Sequence, residues 1–452
     1  MARQRDTIAA PATPAGVSAL ALIRISGYDT LRVAKAALGR APSPRVATHG
    51  DYTAADGAVL DDVVATLLLG PNSYTGEDTL EISCHGNPLI VRGILADLMA
   101  RGCRPASPGE FTQRAFLEGR MDLSQAEAVM DVISARSESA LAAARQVLRG
   151  ALGRHVAAIV CEVVAALATV EAYIDFPDEN LPSGDNAAVR GMVEGALAGA
   201  GRLLATERTG ALLRDGIRTV IIGEPNAGKS SLMNRILGSD RSIVSAEPGT
   251  TRDFIAESVS VGPHGLRLVD TAGLNASASG VEKLGVEKTI EQAREADLLV
   301  LVLDATRPSP SLPDAIRGCI RPDNTIAALN KADLLGARAP AAEAPAGIRA
   351  VRVSAQDGAG LPELLASIGS LAAGIQTTFG EEHIAVNVRH AHYLGEANSC
   401  LAAAKDKLDA GGASELLASD LRGALAALGE ISGRVDNERM LDQLFATFCI
   451  GK

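Results

Sequence analysis

The sequence predicts a multidomain chain of mixed α/β and all-α class, with an N-terminal α+β domain, a helical domain, and an α/β domain inserted into the helical one. Three observations lead to this prediction. Residues 122–213 and 383–448 are both rich in Ala and Leu and helically periodic. Between them, from Arg218, apolar strands alternate with helical segments, which is typical of a parallel sheet covered by helices. Residues 1–119 mix strand and helix patterns instead.

The N-terminal domain shows its elements most clearly. The run SALALIRIS at residues 18–26 predicts a buried strand, and a turn then leads into a helix that begins near Leu31. Further strands are expected at 63–69 and 79–83. A helix is expected over 88–100, with proline at its first position.

Changes in composition set the predicted boundaries. We expect the N-terminal domain at 1–119, the first helical part at 120–214, the inserted domain at 215–374 and the second helical part at 375–452. The segment IDFPDENLPSGD at 174–185 interrupts the helical pattern with Pro and Gly, so it is interpreted as a connection between two helices.

Composition also excludes several classes of protein. A net charge of −11 over 452 residues argues against a protein that coats nucleic acid non-specifically. The six cysteines form no C-x-x-C pair, so neither a zinc site nor a disulfide framework is indicated. We see no run of about 18 apolar residues and expect no membrane span. No targeting segment is evident, and a cytoplasmic location is expected.

A phosphate-binding loop begins the inserted domain. The apolar strand 219–222 leads into GEPNAGKS at 223–230 and then into a helix over 231–237, which matches G-x-x-x-x-G-K-[ST] in its required context. Backbone N–H groups of such a loop close around phosphate oxygens. Lys229 is expected to reach the β- and γ-phosphates, and Ser230 is expected to bind Mg²⁺.

Three further strand ends complete a guanine nucleotide site. Strand 266–269 ends in DTAG at 270–273, where Asp270 can approach the metal ion. Strand 325–329 ends in NKAD at 330–333, and strand 351–353 ends in Ser354-Ala355. Because a carboxylate accepts both the N1–H and the 2-amino hydrogens of guanine, Asp333 is expected to select GTP over ATP. The order and spacing predict a Ras-like P-loop G domain.

The segment GTTRD at 249–253 lies between Ser230 and Asp270 and is interpreted as switch I, with Thr251 as the second Mg²⁺ ligand when GTP orders the loop. Leu274 stands where Ras-like enzymes carry a water-orienting Gln. The predicted GTP-binding residues are Asn226, Ala227, Gly228, Lys229, Ser230, Ser231, Ser245, Thr250, Thr251, Asp270, Thr271, Ala272, Gly273, Asn330, Lys331, Asp333, Ser354 and Ala355.

Motifs outside the G domain carry a resemblance to one family. They read TIAAPATP at 7–14, IRISG at 23–27, SYTGED at 73–78, CHG at 84–86, PGEFT at 108–112, RAF at 114–116, MDLSQAEA at 121–128 and FCIGK at 448–452. With the G motifs they span nearly the whole chain. The sequence resembles the MnmE (TrmE) family of tRNA-modifying GTPases.

The resemblance implies an architecture and an activity. It implies an N-terminal folate-binding domain that dimerises, and a G domain inserted into a helical domain. With an FAD-dependent partner, MnmG, the family adds an aminomethyl or carboxymethylaminomethyl group to C5 of the tRNA wobble uridine. A tetrahydrofolate derivative is expected to supply the one-carbon unit.

The resemblance also implies a folate site. Arg24, Glu81 and Lys452 match family positions that contact folate, and Arg120 stands where Lys is common. An Arg can pair with a folate carboxylate, and a Glu can accept from pterin N–H groups. Taken singly, each of these residues would more often belong to a structural ion pair. Cys449 is interpreted either as a participant in the modification chemistry or as a small buried apolar residue.

A potassium site and a catalytic carboxylate follow from the same resemblance. Asn226 matches a K⁺ ligand, and Ser245, the backbone of Glu247, and Thr250 would complete the site. Glu282 matches the catalytic glutamate of the family, although its residue type alone also suits a solvated helix start.

The chain departs from the family pattern at three asparagines. Asn275 stands where Arg is common, and Asn72 and Asn87 stand where Gly is common.

The alternative function is a regulatory switch of the ribosome-assembly type, whose members share the N-x-G-K-S loop. Such proteins usually add an RNA-binding module with a G-x-x-G loop and a basic surface, which we do not find here. A membrane-remodelling GTPase of the dynamin type would need a basic lipid-binding tip, which is also not evident.

Overall fold

The computed structural model describes residues 6–175, 185–238, 256–270, 282–336, 338–376, 384–433 and 444–451. By its contacts the chain divides into two compact units. One comprises Met1–Met130 with Ser432–Lys452, and the other comprises Asp131–Ile431. The four predicted domain ranges stay a prediction, and in this division the segment after residue 431 groups with the N-terminal unit.

The first unit contains a six-stranded sheet. Its strands are β1 (Ile8–Pro11), β2 (Ser18–Ser26), β3 (Thr48–Thr53), β4 (Val59–Leu68), β5 (Thr79–Gly86) and β6 (Arg104–Pro105). The spatial order is β3-β4-β5-β2-β1-β6, antiparallel except for the β1–β6 pair. The helices assigned wholly or partly to it are α1 (Thr30–Leu38), α2 (Pro88–Ala100), α3 (Glu110–Leu117) and α4 (Leu123–Ser134).

One face of this sheet forms the core of the unit. Alternate residues of β2, β4 and β5 pack with α1 and α2, for example Ile23, Ala65 and Ile82 against Val33 and Leu98, all of them fully buried. Because side chains alternate across a strand, the residues between them lie on the opposite face. The predicted strand at 18–26 and the predicted helix at 88–100 are confirmed.

The second unit combines a helical part with a second sheet. Its helices are α5 (Glu138–Leu148), α6 (Ala151–Asp175), α7 (Asp185–Leu204), α8 (Glu207–Asp215), α9 (Lys229–Leu237), α10 (Glu282–Glu295), α11 (Asp314–Arg317), α12 (Leu361–Gln376), α13 (Val388–Ala410) and α14 (Ser414–Ser432). Its strands are β7 (Ile217–Gly223), β8 (Ala256–Val261), β9 (His264–Asp270), β10 (Leu298–Asp304), β11 (Thr325–Asn330) and β12 (Arg349–Arg352).

The second sheet has the order β12-β11-β10-β7-β9-β8 and is parallel except for the β8–β9 hairpin. Ile221 and Val300 point towards α9 and α12, while Val220 and Leu301 point towards α10 and α11. Both faces are therefore covered by helices, which explains the continuous apolar runs of these strands. The carboxyl ends of the parallel strands meet at one edge, where such folds bind ligands.

Helix α6 is 25 residues long and mostly apolar. By length and composition it could cross a membrane, although the sequence suggested no such segment. An unbroken apolar run is absent from this helix, because a few charged residues separate its Ala and Val residues. Its residues Val156, Ile159 and Val163 are buried within the unit, and 22 % of its most apolar stretch is buried.

Candidate functional site

The phosphate loop lies between strand β7 and helix α9. Lys229 begins the helix, and its Nζ donates to the carbonyls of Gly223 (3.0 Å) and Glu224 (2.9 Å). Burial lowers the pKa of this lysine, while Asp270 nearby acts in the opposite direction. The ammonium group is therefore held against two carbonyls of its own loop.

The loop backbone needs unusual dihedral angles. Asn226 has φ of +65° and Gly228 has φ of +94°, a left-handed region that costs most side chains energy. A Cβ on Gly228 would lie 2.2 Å from Nδ2 of Asn330. Glycine at 228 is thus required both by the backbone and by the neighbouring side chain.

Ser230 and Asp270 meet at the carboxyl end of β9. The Ser230 hydroxyl donates to Oδ2 of Asp270 at 2.7 Å. Asp270 is the last residue of β9 and is in register with Ile221 of β7. A hydroxyl and a carboxylate side by side at the end of a strand suit a hard cation such as Mg²⁺.

Asn330 joins the phosphate loop to the base-binding loop. It is 2 % exposed at the end of β11. Its Nδ2 donates to the Ala227 carbonyl at 2.8 Å, and its Oδ1 accepts from the Ala355 N–H at 3.0 Å. One buried amide therefore fixes the spacing between the two loops.

The next residues form the base end of the site. Lys331 has φ of +66°, and its Nζ lies 2.7 Å from Oδ2 of Asp304 at the end of β10. Burial opposes the charge on Asp304, but hydrogen bonds from Lys331 and Thr306 outweigh it and lower the pKa to about 2. Asp333 lies exposed on a short 3-10 turn, Ala332–Leu334.

A second polar site lies on the first unit, where Arg24 of β2 faces Glu81 of β5. The two residues are in register, and Nε and Nη2 of Arg24 donate to Oε1 of Glu81 at 3.0 and 2.8 Å. The guanidinium carbon also lies 5.3 Å from the ring centre of Tyr74 and 5.7 Å from that of Phe111.

The C-terminal segment completes this second site. Nη1 of Arg24 donates to the Gly451 carbonyl at 3.1 Å. Phe445 and Phe448 anchor the segment in a cluster with Leu123 and Ala126. A Cβ on Gly109 would lie 2.7 Å from the Phe445 carbonyl, so the segment depends on a glycine at that contact.

Comparison with known proteins decides the family. The family model for the GTP-binding protein TrmE N-terminus matches residues 7–120. The family model for the MnmE helical domain matches residues 123–449. A relative in Opitutus terrae, named tRNA modification GTPase MnmE, is 57 % identical over 99 % of this chain and 99 % of its own length.

The chain belongs to the MnmE (TrmE) family.

Two other tRNA modification GTPases named MnmE are similar over 99 % of this chain. The protein of Akkermansia muciniphila is 43 % identical over 99 % of its length, and that of Chloroflexus aurantiacus is 42 % identical over its full length. The G domain of the T. maritima FeoB iron transporter is 23 % identical over 34 % of this chain and 98 % of its own, with a TM-score of 0.24. The predicted family, fold class and GTPase activity are confirmed.

Several predicted site residues of this MnmE-family chain lie outside the described residues. These are Ser245, Glu247, Thr250, Thr251, Thr271, Ala272, Gly273 and Lys452, as well as the side chain of Glu282. Of the remaining GTP-binding residues, Ser231 is exposed at the start of α9 and Ser354 is buried.

Two folate-site predictions can be located. Arg120 is exposed, and its Cγ would lie 3.4 Å from a Cβ placed on Gly76. Cys449 is exposed, so its interpretation as a buried apolar residue is wrong. Its carbonyl accepts from the Gly109 N–H at 3.3 Å, which means that the cysteine backbone anchors the segment while the thiol faces outward.

Sequence reasoning missed three residues of these sites. Asp304 ends the apolar run of β10, and its position at a parallel strand end was an available signal. Arg235 of α9 donates to the Ala355 carbonyl at 3.1 Å, with no motif to indicate it. Glu77 accepts from Ser26 (2.8 Å) and from Arg114 (3.1 Å), which fixes the loop that carries Tyr74.

Proposed function

We propose that this GTPase modifies C5 of the tRNA wobble uridine with a one-carbon unit taken from a tetrahydrofolate derivative. The observation that supports this is the polar site of Arg24, Glu81 and the Gly451 carbonyl on the first unit. It holds a cation, a carboxylate and an aromatic ring, which is the chemistry that a folate requires. The nucleotide site does not use any of these groups.

Each residue of this site has a role in the proposal. Arg24 pairs with a carboxylate of the ligand, and Glu81 accepts from the amino and ring N–H groups of the pterin. Tyr74 offers a face for the flat ring. Arg120 and Lys452 add positive charge towards the glutamate tail. Cys449 lies exposed in the same segment, where a thiol is available to the chemistry.

The partners in this proposal follow from the family. The chain works as a homodimer with an FAD-dependent partner of the MnmG type and with tRNA, and it acts in the cytoplasm. The group added is an aminomethyl or carboxymethylaminomethyl group.

GTP binding is assigned to the carboxyl edge of the second sheet. Lys229 binds the β- and γ-phosphates, Asp333 selects guanine, and Ser230 with Thr251 holds Mg²⁺, with Asp270 nearby. Mg²⁺ there neutralises phosphate charge. The neighbouring hydroxyl and carboxylate of Ser230 and Asp270 support this assignment.

Hydrolysis is proposed to depend on K⁺ and on pairing of two G domains. Asn226, held exposed at φ of +65°, offers its side-chain oxygen next to the phosphate loop. Ser245, the Glu247 backbone and Thr250 complete the oxygen ligands. K⁺ there supplies the positive charge that an Arg finger gives other GTPases, and Glu282 orients the attacking water.

The folate assignment is tested on the full-length protein. We expect a reduced folate to bind in calorimetry, and Arg24→Ala to weaken that binding by about tenfold, because a charged hydrogen bond contributes about 1.5–3 kcal/mol. Arg32→Ala serves as the control, since Arg32 is an exposed arginine of the same unit whose Nε pairs with Asp29. A folded wild type that binds no folate contradicts the proposal. Mass spectrometry of wobble-uridine nucleosides from cells lacking the protein tests the reaction itself.

Potassium dependence has its own measurement. Replacing K⁺ by Na⁺ is expected to slow GTP turnover while leaving GTP affinity nearly unchanged, and Glu282→Ala is expected to lower kcat more than affinity. Equal turnover in the two salts, or full turnover without the Glu282 carboxylate, excludes this mechanism.

A further inference from the structure

The loop after strand β12 is closed upon itself. The Ser354 N–H donates to the Ala359 carbonyl, and the Gly358 N–H donates to the Ser354 carbonyl, both at 2.9 Å. The Asp357 N–H reaches the Ser354 hydroxyl at 3.3 Å. Because these bonds lie within residues 354–359, they give the loop its shape. Its position relative to the phosphate loop has to come from elsewhere.

Two side chains from outside the loop hold Ala355. Asn330 accepts from its N–H, as described above. On the other side of the same Cα, Nε of Arg235 donates to the Ala355 carbonyl at 3.1 Å, and Nη2 donates to the next carbonyl, that of Gln356. The two peptide planes that flank Ala355 are thus each fixed by a different element, so both backbone dihedrals of this residue are constrained.

Arg235 comes from the helix that the phosphate loop begins. It lies on α9, whose first residue is Lys229, and its Cδ would be 4.0 Å from a Cβ on Gly358. A planar guanidinium group can bind two neighbouring carbonyls at once, which an ammonium group cannot do with the same geometry. Arg235 therefore adds a second connection between the phosphate helix and the base loop, at the same residue that Asn330 holds.

We propose that Arg235 is a positioning residue for guanine nucleotide binding, which holds the Ser354–Ala355 loop at the distance from the phosphate loop that a guanine nucleotide spans. This inference rests on the proposed guanine site. Arg235 does not touch the reacting atoms in this arrangement. Its loss loosens the base end of the site and speeds nucleotide release, while the hydrolytic step at the phosphate end is retained.

The test uses full-length protein with Arg235→Met, which keeps the apolar stem and removes the donors, and Arg235→Lys, which keeps one charged donor. The control is Arg317→Met on α11, an exposed arginine whose side chain bonds the Leu312 carbonyl. We measure the dissociation rate and Kd of a fluorescent GDP, and kcat and KM for GTP. Arg235→Met is expected to raise Kd and KM by about tenfold, with kcat within about twofold and Arg235→Lys intermediate.

A merely structural role gives a different result. In that case Arg235→Met lowers the melting temperature while Kd and the dissociation rate stay at wild-type values, and the proposal is overturned. A lowered kcat with unchanged KM overturns it as well. Because Asn330 and Arg235 hold the same residue, Arg235→Met combined with Asn330→Ala is expected to weaken GDP binding less than the product of the two single effects. If the loss of GDP affinity in the double variant equals the product of the two single losses, the two residues do not act on the same loop.

Failure of the proposed guanine site can be distinguished from failure of the proposed role of Arg235. If the wild type binds GDP tightly and Asp333→Asn shifts preference towards xanthosine diphosphate, the site stands whatever Arg235 does. If neither holds, the site assignment is at fault.

Discussion

The two polar sites of this chain are built in opposite ways. The nucleotide site uses loops that directly follow parallel strands of one sheet, so its residues come from short, contiguous motifs. The Arg24 site takes a strand residue, its cross-strand neighbour and a carbonyl 427 residues further along the chain. In the first, several side chains bond to backbone groups of neighbouring loops; in the second, a cross-strand ion pair is joined to one backbone carbonyl from far along the chain. The difference teaches that a sequence motif reveals a site only where residues close together in the chain form it.

The largest loss of activity is expected where the local motif is broken. Lys229→Ala removes the ammonium group that now binds the Gly223 and Glu224 carbonyls. Losing one such electrostatic contact to the transition state is expected to lower kcat/KM for GTP by about 10²–10³-fold. Lys35→Ala, which changes an exposed lysine of helix α1, is the control and should leave turnover unchanged. A decrease smaller than tenfold for Lys229→Ala would mean that this lysine does not serve the phosphates.

The second prediction concerns the Arg24 site and the packing of the C-terminal segment that contributes to it. Phe445 is 2 % exposed, and Phe445→Ala leaves a cavity next to Leu123 and Phe448. The free energy of unfolding of the first unit is expected to fall by about 3–5 kcal/mol. Ile450→Ala, at a residue that is 56 % exposed, should cost far less. Denaturant unfolding with a probe in the first unit measures both; equal losses for the two variants would show that the segment is not anchored by Phe445.

A smaller effect is expected at the base end of the nucleotide site. Asp333 is exposed, and each of its two proposed bonds to guanine replaces bonds to water. Asp333→Asn is expected to weaken GDP binding by about 10²-fold and to favour xanthosine diphosphate, because the amide offers a donor where the base now has an acceptor. Asp323→Asn, an exposed change in the same unit, is the control. Competition calorimetry with both nucleotides decides the matter, and an unchanged preference rules out Asp333 as the selecting residue.

The same comparison explains what the sequence could predict. Asn330 and Asp270 can be singled out from sequence because each lies at a strand end that hydrophobic patterning reveals, and Lys229 because the phosphate-loop motif specifies a lysine at the start of α9. Arg235 was not, since nothing in a helix sequence indicates that a side chain two turns after the phosphate loop reaches a loop made more than a hundred residues later.

Long-range packing was equally hidden at the second site. The resemblance named Arg24 and Glu81, but their pairing follows from the β2–β5 register, which strand patterns alone do not fix. The contact with Gly451 depends on the docking of Phe445 and Phe448, which periodicity cannot reveal. The fold class was accessible from sequence because alternation and helical periodicity are local signals, whereas the apolar character of α6 was underestimated because its charges break up the run.

The Arg24–Gly451 contact also has a consequence in time. At ~5–20 residues per second, a ribosome makes residue 451 roughly 20–85 s after residue 24, because 427 residues separate them. The first sheet has all of its strands long before that and can fold during synthesis. Throughout that interval Arg24 lacks the Gly451 carbonyl, whereas Glu81 and the rings of Tyr74 and Phe111 have already been made. The Arg24–Gly451 contact is therefore completed only long after the sheet that carries Arg24 has been made.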